Sequence, residues 1–181
     1  MRYSVAIALA SMILPSQVAA QDGPQPRQIV PEHGRIYPTP DAQGHPDPKL
    51  TYRVVFSITK AAPSPDKVNP SLDKVARFLN LLAANSVSIK PGDVVAIVHG
   101  PATAIVTKAN TYSRKTGATG NPNLDLIAKL RSAGVVVAVC DQALHGNGFA
   151  SSEVAQGVRV DVSAMTTITT LQLRGWALMP D

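Results

Sequence analysis

One side chain in this sequence can act as a soft nucleophile: the single cysteine, Cys140. It ends an apolar run, Val135 to Val139 (VVVAV), and Asp141 and Gln142 follow it. A strand that ends there and leads into a short helix around Gln142 to Leu144 would aim backbone N–H groups at the sulfur. That arrangement favours the thiolate, which is the nucleophilic form. The plainer reading is a small buried hydrophobe at the end of a core strand, since free cysteines are among the most buried residues. On position alone the two readings stand side by side.

Two histidines could serve the thiol. His99 follows another apolar run, Val94 to Val98, and could be a base or an orienting donor, a pairing that cysteine nucleophiles use. His145 lies five positions after Cys140 and is the alternative. A histidine next to Gly100-Pro101 also suits plain backbone capping. Cys140, Asp141, His145 and His99 could in principle meet around a metal, but Cys-x4-His without a second pair is a weak zinc signature, and no metal is expected. Gly146-Asn147-Gly148 lacks the lysine and spacing of a phosphate loop. With no GxSxG, HExxH or glycine-rich dinucleotide fingerprint, no cofactor is expected either. A cysteine hydrolase built on Cys140 and His99 needs a third, orienting group, and Asp141, adjacent to the nucleophile in sequence, is poorly placed for it.

The elements that position these residues follow an alternating grammar. Tyr52 to Ile58 (YRVVFSI) reads as a strand. Asn69-Pro70 then supplies an N-cap and a proline at the first helical position, with Asp73 at the positive end of the helix dipole. Leu72, Val75, Ala76, Leu79, Leu82 and Ala83 form one apolar face at spacings of three and four. Val94 to Val98 is continuously apolar, as in a parallel strand covered on both faces. Asn121-Pro122 opens a second helix with Leu124, Ile127 and Leu130, and Gly134 closes it. Val158 to Val162 (VRVDV) alternates like an edge strand, and Trp176 to Met179 is the last strand. Ser163 to Leu173 favours strand by its threonines, yet a parallel architecture needs a crossover there, so a helix is expected. The polar stretch Thr107 to Asn121 lacks apolar periodicity and reads as a flap.

Strands alternating with helices predict an α/β fold with a mainly parallel sheet. If the strands ending at Val98 and Val139 are neighbours, His99 and Cys140 emerge side by side at its carboxyl edge, where such sheets bind ligands.

Composition bounds the partners. The chain has 181 residues, 45% hydrophobic, 16% charged and 4% aromatic, enough apolar chain for one core and too much for a disordered protein. The net charge of +5 is scattered, with no block of like charges, so no nucleic-acid partner is expected. One cysteine excludes an intrachain disulfide framework. Residues 1–20 read as a signal peptide: Arg2, a short apolar run from Val5 to Leu14, and small residues Val18-Ala19-Ala20 before the cleavage site. That predicts a periplasmic protein with no membrane attachment after cleavage. Residues 21–48 hold seven prolines and read as an extended arm, with His33 and His45 exposed on it, leaving 49–181 as the α/β domain.

Several of these segments, taken in order, resemble the DsrE/DsrF-like family of small α/β proteins tied to sulfur relay. The matching pieces are Arg77 to Leu82 (RFLNLL), Val95 to Pro101 (VAIVHGP) and Asn121 to Leu130. Then come Val139 to Leu144 (VCDQAL) with Gly148, Gly157-Val158, Leu171-Gln172, and Gly175-Trp176-Ala177. The resemblance implies a flavodoxin-like three-layer domain with a mainly parallel five-stranded sheet. It also implies homo- or hetero-oligomers, usually trimers or hexamers, and a cysteine that carries persulfide sulfur from a donor protein to an acceptor. Carried over, that cysteine is Cys140, with His99 and Gln142 as pocket neighbours. The expectation is therefore a periplasmic sulfur carrier or sulfurtransferase. The alternative is a non-catalytic exported oligomeric binding or scaffold domain in which Cys140 is core.

Overall fold

A computed structural model describes residues 26–181; the expected signal peptide lies outside the described residues. Five strands form one sheet: β1 (Val54–Ile58), β2 (Val94–Val98), β3 (Val136–Cys140), β4 (Arg159–Asp161) and β5 (Ala177–Met179). Their order is β4-β3-β2-β1-β5, and every pair is parallel. The helices are α1 (Pro70–Ala84), α2 (Ala109–Thr116), α3 (Leu124–Ser132), α4 (Asp141–Gly146) and α5 (Ala164–Leu173). The fold is α/β, as expected.

The chain steps from β1 to β4 in one direction across the sheet, and α1 and α3 cover one face. Leu72, Val75 and Leu79 of α1 and Leu126, Ile127 and Leu130 of α3 meet Val54, Phe56, Val94, Val98, Val137 and Val139 there. The last connection runs back from β4 to β5. A right-handed crossover in that direction must pass its helix over the opposite face. There α5 packs Ala164, with Ile168 and Leu171, against Val55, Val95, Ile97, Ala138 and Cys140. Just before α5 and on the helix itself, apolar side chains remain uncovered: Val162, Met165 and Leu173 are 75%, 78% and 84% exposed.

Local chemistry explains the element ends. Asn69 caps α1, its side chain accepting from the Ser71 and Leu72 N–H groups at 2.9 and 3.1 Å. Ser163 caps α5 by accepting from Met165 N. Gly134 follows α3 at φ +88°, the left-handed residue expected to close it.

Four local expectations are corrected. β1 begins at Val54 rather than Tyr52. The second helix begins at Leu124, not at Asn121-Pro122, because the Asn121 amide is engaged elsewhere: its Nδ2 donates to the carbonyls of Ile105 and Thr107, and its Oδ1 accepts from Asn123. Asn123 in turn accepts from Asn69 N, so three buried asparagines join the starts of α1 and α3 to the segment after β2. The Thr107 to Asn121 stretch is no flap. Its centre is α2, buried through Thr111 and Tyr112 and tied down by Tyr112 Oη donating to Pro65 O at 2.9 Å. His33 is not exposed; its side chain is largely enclosed, with Nε2 2.9 Å from Asp125 Oδ2.

That last correction reflects how residues 29–36 sit. They cross α1, and fully buried Asn80 holds them. Its Oδ1 accepts from Ile29 N and Val30 N, and its Nδ2 donates to the carbonyls of Val30, His33 and Gly34. Val30 is fully buried in the first core. Gly34 is obligatory: at φ +60° an added Cβ would lie 2.1 Å from Arg77 N.

Candidate functional site

β2 and β3 are parallel neighbours, with Val98 opposite Val139. The next residues on each strand, His99 and Cys140, therefore face each other across the same row. Alternation sends both side chains to the α5 face, since Val98 and Val139 point to the other core. Adjacent strands lie about 4.8 Å apart, so the sequence expectation that these two residues emerge together holds.

Cys140 pairs on its other side with Asp161 of β4. After β3 the chain turns into α4, whose Leu144 enters the first core; after β4 it crosses to α5 on the other face. Connections that leave two neighbouring strands for opposite faces open the crevice where α/β sheets bind ligands. Cys140 stands at that point.

The sulfur itself is buried, the residue being 6% exposed beside Ala138, Ile97 and Ala164. Cys140 is the N-cap residue of α4, but its side chain accepts no hydrogen bond from the helix N–H groups, contrary to expectation. The reason is directional: the side chain belongs to the α5 face of the sheet, while α4 leads away toward the first core.

His99 is half-buried and extended (φ −156°, ψ 178°), its N–H donating to Ile58 O at 2.9 Å. A 3-10 segment, Gly100–Val106, follows it, with His99 at its N-cap position. Nε2 of His99 lies 2.9 Å from Ser57 Oγ on β1. Burial lowers the imidazole below its ordinary value, and the Asp181 carboxylate pulls it partly back up. Burial thus favours the neutral form of the ring. Asp181 is fixed above β1: its Oδ2 accepts from Thr59 N, Thr59 Oγ1 and Lys60 N at 2.7, 2.9 and 2.6 Å. Burial pushes its carboxyl up, but hydrogen bonds from Ser71, Lys60 and Thr59 outweigh this and bring it down to about 2.

The remaining candidates fall outside this cluster. Gln142 is exposed on the first turn of α4. His145 is exposed and turns back to its own helix, with Nδ1 3.0 Å from Asp141 O. Asp141 accepts from Ser151 Oγ and faces His145, so it does not orient His99. No group of three or more His, Cys, Asp or Glu side chains is arranged to hold a metal among the described residues.

Two residues near the site were missed. Asp161 takes a two-point ion pair from Arg159 and accepts from Thr167 Oγ1 of α5 at 2.8 Å, tying β4 to the helix beside Cys140. Ser57 was legible as the one polar residue in the run Val54 to Ile58.

The geometry defines a small parallel α/β domain with a cysteine at its topological switch point and a histidine beside it. The family model described as DsrE/DsrF-like family matches residues 53–180. The chain belongs to the DsrE/DsrF-like family. It is similar to the solved structure of a protein of unknown function from Methanobacterium thermoautotrophicum, at 22% identity and a TM-score of 0.53. The match covers 72% of this chain and 99% of the other, and bears on the fold alone. A search of the curated proteins gave no match.

Proposed function

We propose that the protein is an exported sulfur-relay protein in which Cys140 accepts sulfane sulfur as a persulfide and passes it on. The observation that carries this reading is the row formed by His99 and Cys140 at the switch point of a DsrE/DsrF-like domain. In the loading step His99 takes the Cys140 thiol proton, and the thiolate attacks the outer sulfur of a donor persulfide, R–S–SH. A bond forms between Sγ and that sulfur, and the donor's S–S bond breaks. The electron pair leaves on R–S⁻, which recovers the proton from His99. The exchange is neutral overall in protons and electrons. Gln142, exposed on the first turn of α4, is free to meet an incoming donor rather than the buried cysteine.

Homo-oligomers, trimers or hexamers, belong to the same proposal. The apolar surface around α5 and the two short edge strands, with Val160, Val162, Met165, Leu173, Leu178 and Met179 exposed, supports a contact between copies. The apolar segment from Val5 to Leu14 and the small residues before position 21 support export to the periplasm. No described helix is long and apolar enough to cross a membrane.

The burial of Cys140 favours a second reading, a non-catalytic scaffold domain with the cysteine as core. Alkylation separates the two. The relay reading expects the folded protein to label with iodoacetamide at neutral pH, at a rate that falls in His99→Ala. If the thiol labels only after unfolding, the relay reading fails.

A further inference from the structure

We propose that Ser57 is a positioning residue for Cys140: it holds the His99 ring through Nε2 and leaves Nδ1 as the nitrogen that exchanges a proton with the thiol. The proposal rests on the sulfur-relay reading above and deepens it.

Ser57 interrupts an otherwise apolar strand that is paired on both sides, by β2 and β5. Alternation puts its side chain on the α5 face with Val55, while Val54, Phe56 and Ile58 enter the other core. A hydroxyl on that face is costly unless it is hydrogen-bonded. Its partner is Nε2 of His99, at 2.9 Å. Ser57 is in register with Ile97, so His99 is two residues further along the neighbouring strand and on the same face. Three consecutive strands thus carry Ser57, His99 and Cys140 in sequence across one face of the sheet.

Their roles follow from donor and acceptor capacity. Once Nδ1 carries the thiol proton, both ring nitrogens are donors. The serine oxygen then accepts from Nε2–H, so it favours the imidazolium that forms when the ring takes the thiol proton. An alanine there would leave that N–H without its partner and move the balance back toward thiol and neutral imidazole. One other charge acts on the ring: the Asp181 carboxylate, whose Oδ1 has no hydrogen-bond partner among the described residues, also favours the imidazolium and is unchanged in Ser57→Ala. The Asp181 carboxylate is held by Thr59 and Lys60 N–H groups, and Asp161, opposite Cys140, is paired with Arg159.

The test is the pH profile of Cys140 alkylation in the full chain. Hydrogen bonds to charged groups are strong enough that Ser57→Ala should slow labelling at slightly acid pH about tenfold and move the profile to higher pH. Ser57→Thr, which keeps the hydroxyl, should restore it. In a His99→Ala background, Ser57→Ala should change nothing further, because its effect passes through the ring. An unchanged profile in Ser57→Ala, or an equal shift without His99, overturns the proposal. Its failure is distinct from failure of the relay reading: in the first case the parent protein still takes up sulfur, in the second it does not.

Discussion

Asn80→Ala is expected to free residues 29–36 from α1 and to lower the melting temperature by about 5–10 °C. The side chain is fully buried and serves five backbone groups at once, two N–H donors and three carbonyl acceptors. Alanine serves none of them. Leaving each buried group unpaired would cost about 1–3 kcal/mol. The segment escapes that cost by lifting into water, so the loss is bounded by what its docking contributes. The main apolar term is Val30, whose complete burial is worth about 1.5–3 kcal/mol. The His33–Asp125 hydrogen bond and the Glu32–Lys129 ion pair are partly exposed and add little. Limited trypsin digestion checks the outcome: Arg27 and Arg35 should become early cleavage sites while the α/β domain stays intact. Unchanged resistance at both would show that Asn80 is not the anchor.

The second large effect concerns assembly. Met165→Glu with Leu173→Glu should reduce a trimer or hexamer to monomers, read by light scattering during size-exclusion chromatography. Both side chains are strongly exposed on α5, so in an isolated subunit the charges stay in water and the fold is unaffected. At an apolar contact between copies, each glutamate would have to be desolvated without a partner, once per subunit around the ring. A parent that is already monomeric, or a variant of unchanged size, would contradict this assembly.

Much of the architecture could be read residue by residue, because its signals are local. The Asn69-Pro70 start of α1, the apolar strands β2 and β3, and the Gly134 closure of α3 each depend on a few adjacent side chains. The α5 helix was legible only through topology, since its threonines argue for strand. What escaped depends on distant partners. α2 has no apolar stripe, and it folds because Tyr112 reaches Pro65 and Thr111 reaches Glu153. Asn121 reads as a helix cap, yet its amide goes to carbonyls fourteen and sixteen residues back. The docking of residues 29–36 rests on Asn80, about fifty residues away. At the site, His99 and Cys140 were legible once β2 and β3 were taken as neighbours. The bond from His99 to Ser57, forty-two residues apart, was not.

The central claim is that Cys140 carries sulfur, and intact mass reads it directly. The full chain is incubated with inorganic polysulfide, desalted and weighed, with and without a reducing thiol. The account predicts a gain of about 32 Da, one sulfur atom on the thiolate, that reductant removes and that Cys140→Ser lacks. A folded protein whose mass stays unchanged, or whose adduct persists in Cys140→Ser, would contradict it.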